Sequence, residues 1–170
     1  LYKVLEDEET PKEQSVKRFM KEELRSMLAS GRLPKEYAEA VSESKICRFL
    51  ESDSAGRMAR AAQRGQLYRE QPFVLGIPAS RLREEFPESE TVLMQGIIDV
   101  FWEEEDGIVV LDYKTDAVQL PEELVKRYHV QLDCYAQALE RIYTDPVSRE
   151  GRRVKEKVIY SFKLGEEIRL

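Results

Sequence analysis

The sequence predicts an α/β domain: a mixed β-sheet flanked by helices, with a helical region ahead of it. Three observations carry that prediction. Residues 11–64 show helical periodicity, apolar runs rich in β-branched residues take over from Leu67, and one long amphipathic helix separates the third such run from the last.

In residues 11–31, Val16, Phe19, Met20, Leu24, Met27 and Leu28 recur at helical spacing between lysines and glutamates, and Gly31 is placed to stop the helix. A second helix is predicted over 35–50, after Pro34, with Tyr37, Ala38, Val41, Ile46, Phe49 and Leu50 as its apolar positions. The alanine- and arginine-rich stretch 54–64 predicts a short third helix. Residues 67–77, bounded by Gly65 and Pro78, predict a strand with Pro72 at an edge or bulge, because proline cannot donate to a sheet ladder. After a charged loop, 80–90, come the apolar runs 91–102 and 107–114, joined by the acidic turn Glu103-Glu104-Glu105-Asp106-Gly107, whose Asp-Gly ending marks an antiparallel hairpin. Pro121 suits the first turn of a helix that carries Leu124, Val125, Tyr128, Leu132, Tyr135, Ala136 and Leu139. A polar, arginine-rich loop, 144–153, leads to a strand over 154–164, and 168–170 can add a short one.

Composition narrows the function classes. With 170 residues, 42% hydrophobic and 35% charged, the chain is long enough for one substantial core and too apolar for disorder. A single domain is expected, 1–170, with a helical N-terminal part, 11–64, and an α/β core, 65–170. The opening Leu1-Tyr2-Lys3-Val4-Leu5-Glu6 resembles the interior of a helix, so the chain is expected to be a fragment of a longer protein. No apolar run approaches the roughly 20 residues that span a bilayer, and a cytoplasmic protein is expected. A formal net charge of −6 argues against a protein that coats DNA by counterion release, while leaving room for an enzyme whose carboxylates are offset by bound cations. Cys47 and Cys134 lack the spacing of a zinc or iron–sulfur site, and His129 is the single histidine. Any metal therefore relies on oxygen ligands, which favours magnesium or manganese.

The chemistry concentrates in Gly96-Ile97-Ile98-Asp99 and in Asp112-Tyr113-Lys114-Thr115. Strand interiors this apolar hold charges only where the charges have partners. If the two runs pair around the acidic turn, Asp99 and Asp112 stand near each other, and Asp112 and Lys114, two residues apart on one strand, point to the same face. Two carboxylates and an ammonium then converge, a set suited to phosphodiester hydrolysis assisted by one or two magnesium ions, with the lysine orienting water or steadying developing negative charge.

These segments, together with Gln131-Leu132-Asp133-Cys134-Tyr135 on the following helix and Arg69-Glu70-Gln71-Pro72-Phe73 on the first strand, resemble the RecB- and AddA-type nuclease domains of the PD-(D/E)xK superfamily. The resemblance covers most of the chain. It implies a restriction-endonuclease-like fold, metal binding by Asp99, Asp112 and the backbone carbonyl of Tyr113, and Lys114 as the catalytic lysine. It further implies that Gln131 and Tyr135, one helical turn apart, position DNA or the attacking water. An upstream histidine ligand is also implied, for which residues 1–6 hold no candidate.

The implied function is a magnesium-dependent DNA exonuclease domain of a bacterial helicase–nuclease that cuts single-stranded DNA during double-strand break repair, beside a second, AddB-like protein. No GxxxxGK[ST] loop is present, so ATP binding would belong to the rest of the parent. A stand-alone nuclease, or a non-catalytic binding module that keeps the fold, are the alternatives. Glu70 is a weak additional candidate, more simply a surface ion pair with Arg69. Asp116 can cap the loop before the Pro121 helix or touch metal, His129 reads as a surface or DNA-facing residue, Trp102 as packing, and the acidic turn is expected to be solvated. Arg149, Arg152, Arg153 and Lys155 could contact a DNA backbone or simply face solvent.

Overall fold

The structure is a computed structural model that describes residues 12–81, 85–144 and 151–170. Four helices come first: α1 (Lys12–Ala29), α2 (Lys35–Ala40), α3 (Glu43–Leu50) and α4 (Asp53–Gln63). Strands β1 (Leu67–Pro78), β2 (Thr91–Glu104) and β3 (Gly107–Lys114) follow, then α5 (Pro121–Ile142), β4 (Val154–Ser161) and β5 (Glu166–Arg169). The strands form one five-stranded sheet in the order β1-β2-β3-β4-β5. Only the β3–β4 pairing is parallel, and α5 is the crossover that parallel pairing requires. The mixed sheet flanked by helices is the predicted fold class.

One predicted element is corrected. The helix expected over 35–50 is broken at Val41 and Ser42, both extended (ψ 119° and 97°), into α2 and α3. A β-branched residue followed by a serine is a weak place in a helix, and the break turns α3 so that Cys47, Phe49 and Leu50 are buried while α2 buries nothing. Ser52 then caps α4 by accepting from the Ala55 amide at 3.2 Å. At the other end of the chain, Glu123 Oε1 accepts from the amides of Gln119 and Leu120 and closes the first turn of α5.

The sheet carries a core on each face. Towards α5 pack Phe73, Leu75, Ile98, Phe101, Val110, Leu132 and Leu139; towards α1, α3 and α4 pack Val100, Trp102, Leu111, Val158 and Tyr160. β3 is buried from Gly107 to Asp112, as a central strand covered on both sides must be. β1 lies at the edge, which accommodates Pro72.

The alternation of faces changes phase midway along the β1–β2 pair. Tyr68 and Phe101 lie on the α5 side, and so do Phe73 and Ile98, at odd separations from them along their own strands. The change falls at Glu70, whose φ is 50°, and at Asp99, which the register places across from it and which the ladder skips. The strands thus twist at the point where the predicted site lies.

Candidate active site

β2 and β3 pair from Glu104 and Gly107 at the turn as far as Val100 and Leu111, and then separate. Asp99 and Asp112 are the first residues beyond that last pair, opposite each other where the two strands part. Instead of a ladder bond, the Tyr113 amide donates to Asp99 Oδ2 at 2.9 Å. The Tyr113 side chain turns towards α3, packing edge-on against Phe49 at 5.3 Å between ring centroids. Strand alternation then directs Asp112 and Lys114 to the α5 face.

There the Lys114 ammonium lies 2.5 Å from Asp112 Oδ2. It donates to Gln131 Oε1 at 3.0 Å and sits 3.8 Å from the centre of the Tyr128 ring. Gln131 Nε2 in turn donates to the Tyr135 hydroxyl at 2.7 Å, and that hydroxyl donates to the Ile97 carbonyl at 3.0 Å. The series runs in one direction from Lys114 back to β2, two residues before Asp99, so the orientation of the Gln131 amide is set by its neighbours. Burial, ahead of the nearby Asp112 and Asp99 charges, pushes the Tyr135 phenol up to about 12, which keeps it a donor across neutral pH.

Asp112 is 2% exposed, and its Oδ2 is ion-paired with the Lys114 ammonium at 2.5 Å. Burial pushes its carboxyl above the usual range, Lys114 opposes that, and the neighbouring Asp99 adds to it. A buried carboxylate next to a second carboxylate is a setting a hard divalent cation fits. Among the described residues no group of three or more His, Cys, Asp and Glu side chains gathers. A cation held by Asp99 and Asp112 therefore needs further oxygen ligands from backbone, water or substrate.

The structure brings together Asp99, Asp112, Lys114, Gln131 and Tyr135. Glu70 is exposed and stands across from Asp99 in register without pairing with it. His129 is exposed on α5, its Nδ1 3.1 Å from the Val125 carbonyl, and takes no part in the cluster. Asp116 accepts from the Tyr128 hydroxyl at 2.8 Å, so it steadies the ring under Lys114. Tyr128 is the member that sequence reasoning missed, although Tyr128, Gln131 and Tyr135 have the i, i+3, i+7 spacing of one helix face.

The acidic turn corrects an expectation. Glu104 is not simply solvated: it accepts from Arg57 at 2.8 Å and from the Trp102 indole at 2.8 Å, and pairs with Lys155 at 2.6 Å. Glu103 accepts from Tyr68 and pairs with Arg152 at 3.3 Å. Arg152 and Lys155 are thus engaged by the turn, and Arg149 lies outside the described residues. The reason is tertiary: the hairpin tip packs against α4 and the start of β4, which no local pattern reveals.

A five-stranded mixed sheet that parts beside two carboxylates and a lysine is the frame of a metal-assisted nuclease, and the chain matches the family model of the PD-(D/E)XK nuclease superfamily over residues 1–166. It belongs to that superfamily. Among curated relatives, an ATP-dependent helicase/nuclease subunit of Lachnoclostridium phytofermentans is 38% identical, with 85% of this chain and 13% of the relative covered. The protein of the same name from Clostridium perfringens is 37% identical over 89% of this chain and 12% of its own length. That from Thermoanaerobacter pseudethanolicus is 38% identical over 84% and 11%. The chain thus spans about an eighth of these relatives.

Proposed function

We propose that this chain is the nuclease part of a longer bacterial helicase–nuclease and hydrolyses phosphodiester bonds of single-stranded DNA with magnesium, in the processing of double-strand breaks. The observation that carries the reading is the meeting of Asp99, Asp112 and Lys114 where β2 and β3 part, with the Asp112 carboxylate buried. The names of the relatives, helicase and nuclease together, support a motor in the same parent, and their being called subunits supports a second chain beside it. No described helix is long and apolar enough to cross a membrane, and a cytoplasmic setting fits bacterial relatives of that name.

Asp99 and Asp112 would hold the cation, with the Tyr113 carbonyl as a further ligand. The bound cation supplies polarisation of the phosphoryl oxygen and neutralisation of charge that builds in the transition state. Lys114, paired with Asp112 and steered by Gln131 and the Tyr128 ring, donates a hydrogen bond towards the attacking water or a phosphoryl oxygen. Tyr135 holds Gln131 and so fixes where the ammonium points.

Cleavage of labelled single-stranded DNA by the intact parent tests this. Asp112→Ala and Lys114→Ala are each expected to reduce magnesium-dependent cleavage by at least about 100-fold while ATP-driven unwinding continues. Magnesium is also expected to raise the melting temperature of wild type and not of Asp112→Ala, because only the former binds it. Undiminished cleavage in both variants would mean that the strand carboxylates are structural.

A further inference from the structure

Next to the site, between the far half of the β1–β2 pair and α5, lies a cleft of about 330 Å³ walled by Met94 and Gly96 on one side and by Val130 and Cys134 on the other. We infer that this cleft is a subsite for one unpaired nucleobase, adjacent to the phosphate cut at Asp99 and Asp112. The inference rests on the nuclease reading and adds how a single strand is preferred.

Three observations choose the occupant. The cleft is continuous with the site, because Gln131 and Tyr135 line it and also form the series that holds Lys114. Its lining carries no charged side chain, so nothing there recruits a phosphate, while the Gln131 amide keeps one N–H beyond that given to Tyr135 and offers it to a base edge. Its volume falls at the lower end of the roughly 300–1,000 Å³ of small-ligand pockets, the size class of a nucleoside and too small for a base pair with its stacked neighbours.

The cleft is built to stay open. Its floor is Phe73 and Tyr135, both buried and packed edge to face with centroids 5.4 Å apart. A Cβ on Gly96 would lie 3.0 Å from the Phe73 ring, so glycine lets that ring lie across the strand. Val130, 46% exposed at the rim, is apolar surface that a flat ring would cover. A base still paired in a duplex cannot enter, and an unpaired one enters with either a purine or a pyrimidine face, giving strand preference without sequence preference.

The test uses the intact parent and short single-stranded oligonucleotides in which a tetrahydrofuran abasic analogue is moved one position at a time past the cleaved phosphate. One position is expected to raise KM about 10-fold with kcat within about twofold, the signature of lost uniform binding to a single base. Val130→Trp, which fills the rim, is expected to raise KM for intact DNA by a similar factor and to lose sensitivity to the abasic position; Met94→Trp does the same from the facing wall. A flat abasic scan in wild type overturns the subsite, and this arm needs no variant to fold. So does a wild-type KM in both tryptophan variants, including the case in which they impair assembly of the parent with a partner protein. Asp112→Ala runs alongside: its inactivity with a flat scan removes the base subsite alone, whereas its activity removes the nuclease reading itself.

Discussion

Asp112 is the residue on which the proposed site turns. Its carboxylate is buried on the α5 face, and Lys114 offsets its charge from 2.5 Å. Lys114 in turn is held by three groups of different kinds: a carboxylate, the Gln131 amide and the face of Tyr128. Tyr135 touches none of the charged groups yet holds Gln131, which makes it a positioning residue. Tyr135→Phe removes the donor to the Ile97 carbonyl and the acceptor for Gln131. It is expected to lower kcat about 10-fold with little change in KM, at a stability cost of about 1 kcal/mol. Steady-state kinetics and denaturant melts read the two effects separately; a stability loss with kcat intact would reduce the tyrosine to packing.

At the scale of elements, the hairpin of β2 and β3 does two jobs, setting the carboxylates opposite each other and docking its tip on α4 and β4. Glu105 and Asp106 form the turn without positive φ, and Gly107 begins β3 with φ 155°. A Cβ on Gly107 would lie 2.8 Å from the Arg153 carbonyl oxygen, which accepts from the Ile108 amide at 2.8 Å. Gly107→Ala is expected to destabilise the chain by about 2 kcal/mol by pushing the start of β4 away, measured as a lower denaturation midpoint at unchanged slope. An unchanged midpoint would show that the β4 backbone gives way freely. Glycine here answers a neighbour across the sheet, although in the sequence it reads as a turn signal.

Over the whole molecule, the two cores lie on opposite faces of the sheet, and the charged network around Arg57 ties the helical side to its rim. Arg57 is 12% exposed and joins Glu104 at 2.8 Å and Glu156 at 2.8 Å. The Arg57 hydrogen bond, ahead of burial that opposes it, holds Glu104 far below its ordinary value of 4.5. For Glu156, burial raises and Arg57 more than offsets it, leaving the carboxyl below 4.5. Folded values below unfolded ones mean stability that is present above about pH 4.5 and is lost as pH falls through the folded values. Arg57→Met leaves both carboxylates without their main partner. It is expected to cost about 3 kcal/mol at neutral pH, with a gap to wild type that narrows as acid protonates the pair. Thermal melts across pH check this, and a gap independent of pH would assign the effect to packing over Trp102, which the guanidinium covers at 5.4 Å.

The sequence by itself determined the order of the elements and picked out the groups of the proposed site. Helical and alternating periods are local properties of the chain, and a carboxylate inside an apolar strand is conspicuous wherever it occurs, which makes Asp99, Asp112 and Lys114 legible. The i, i+4 pair Gln131 and Tyr135 needed the family resemblance to stand out from the other polar positions of α5. Tertiary structure alone decided the rest: the break between α2 and α3, the change of face at Glu70 and Asp99, the ring of Tyr128 under Lys114, and the pairing of the acidic turn with Arg57 and Lys155. Each depends on what comes near from a distant part of the chain. Long-range contacts choose among local states that lie within a few kcal/mol of one another, a margin that local propensities of about 1 kcal/mol cannot settle.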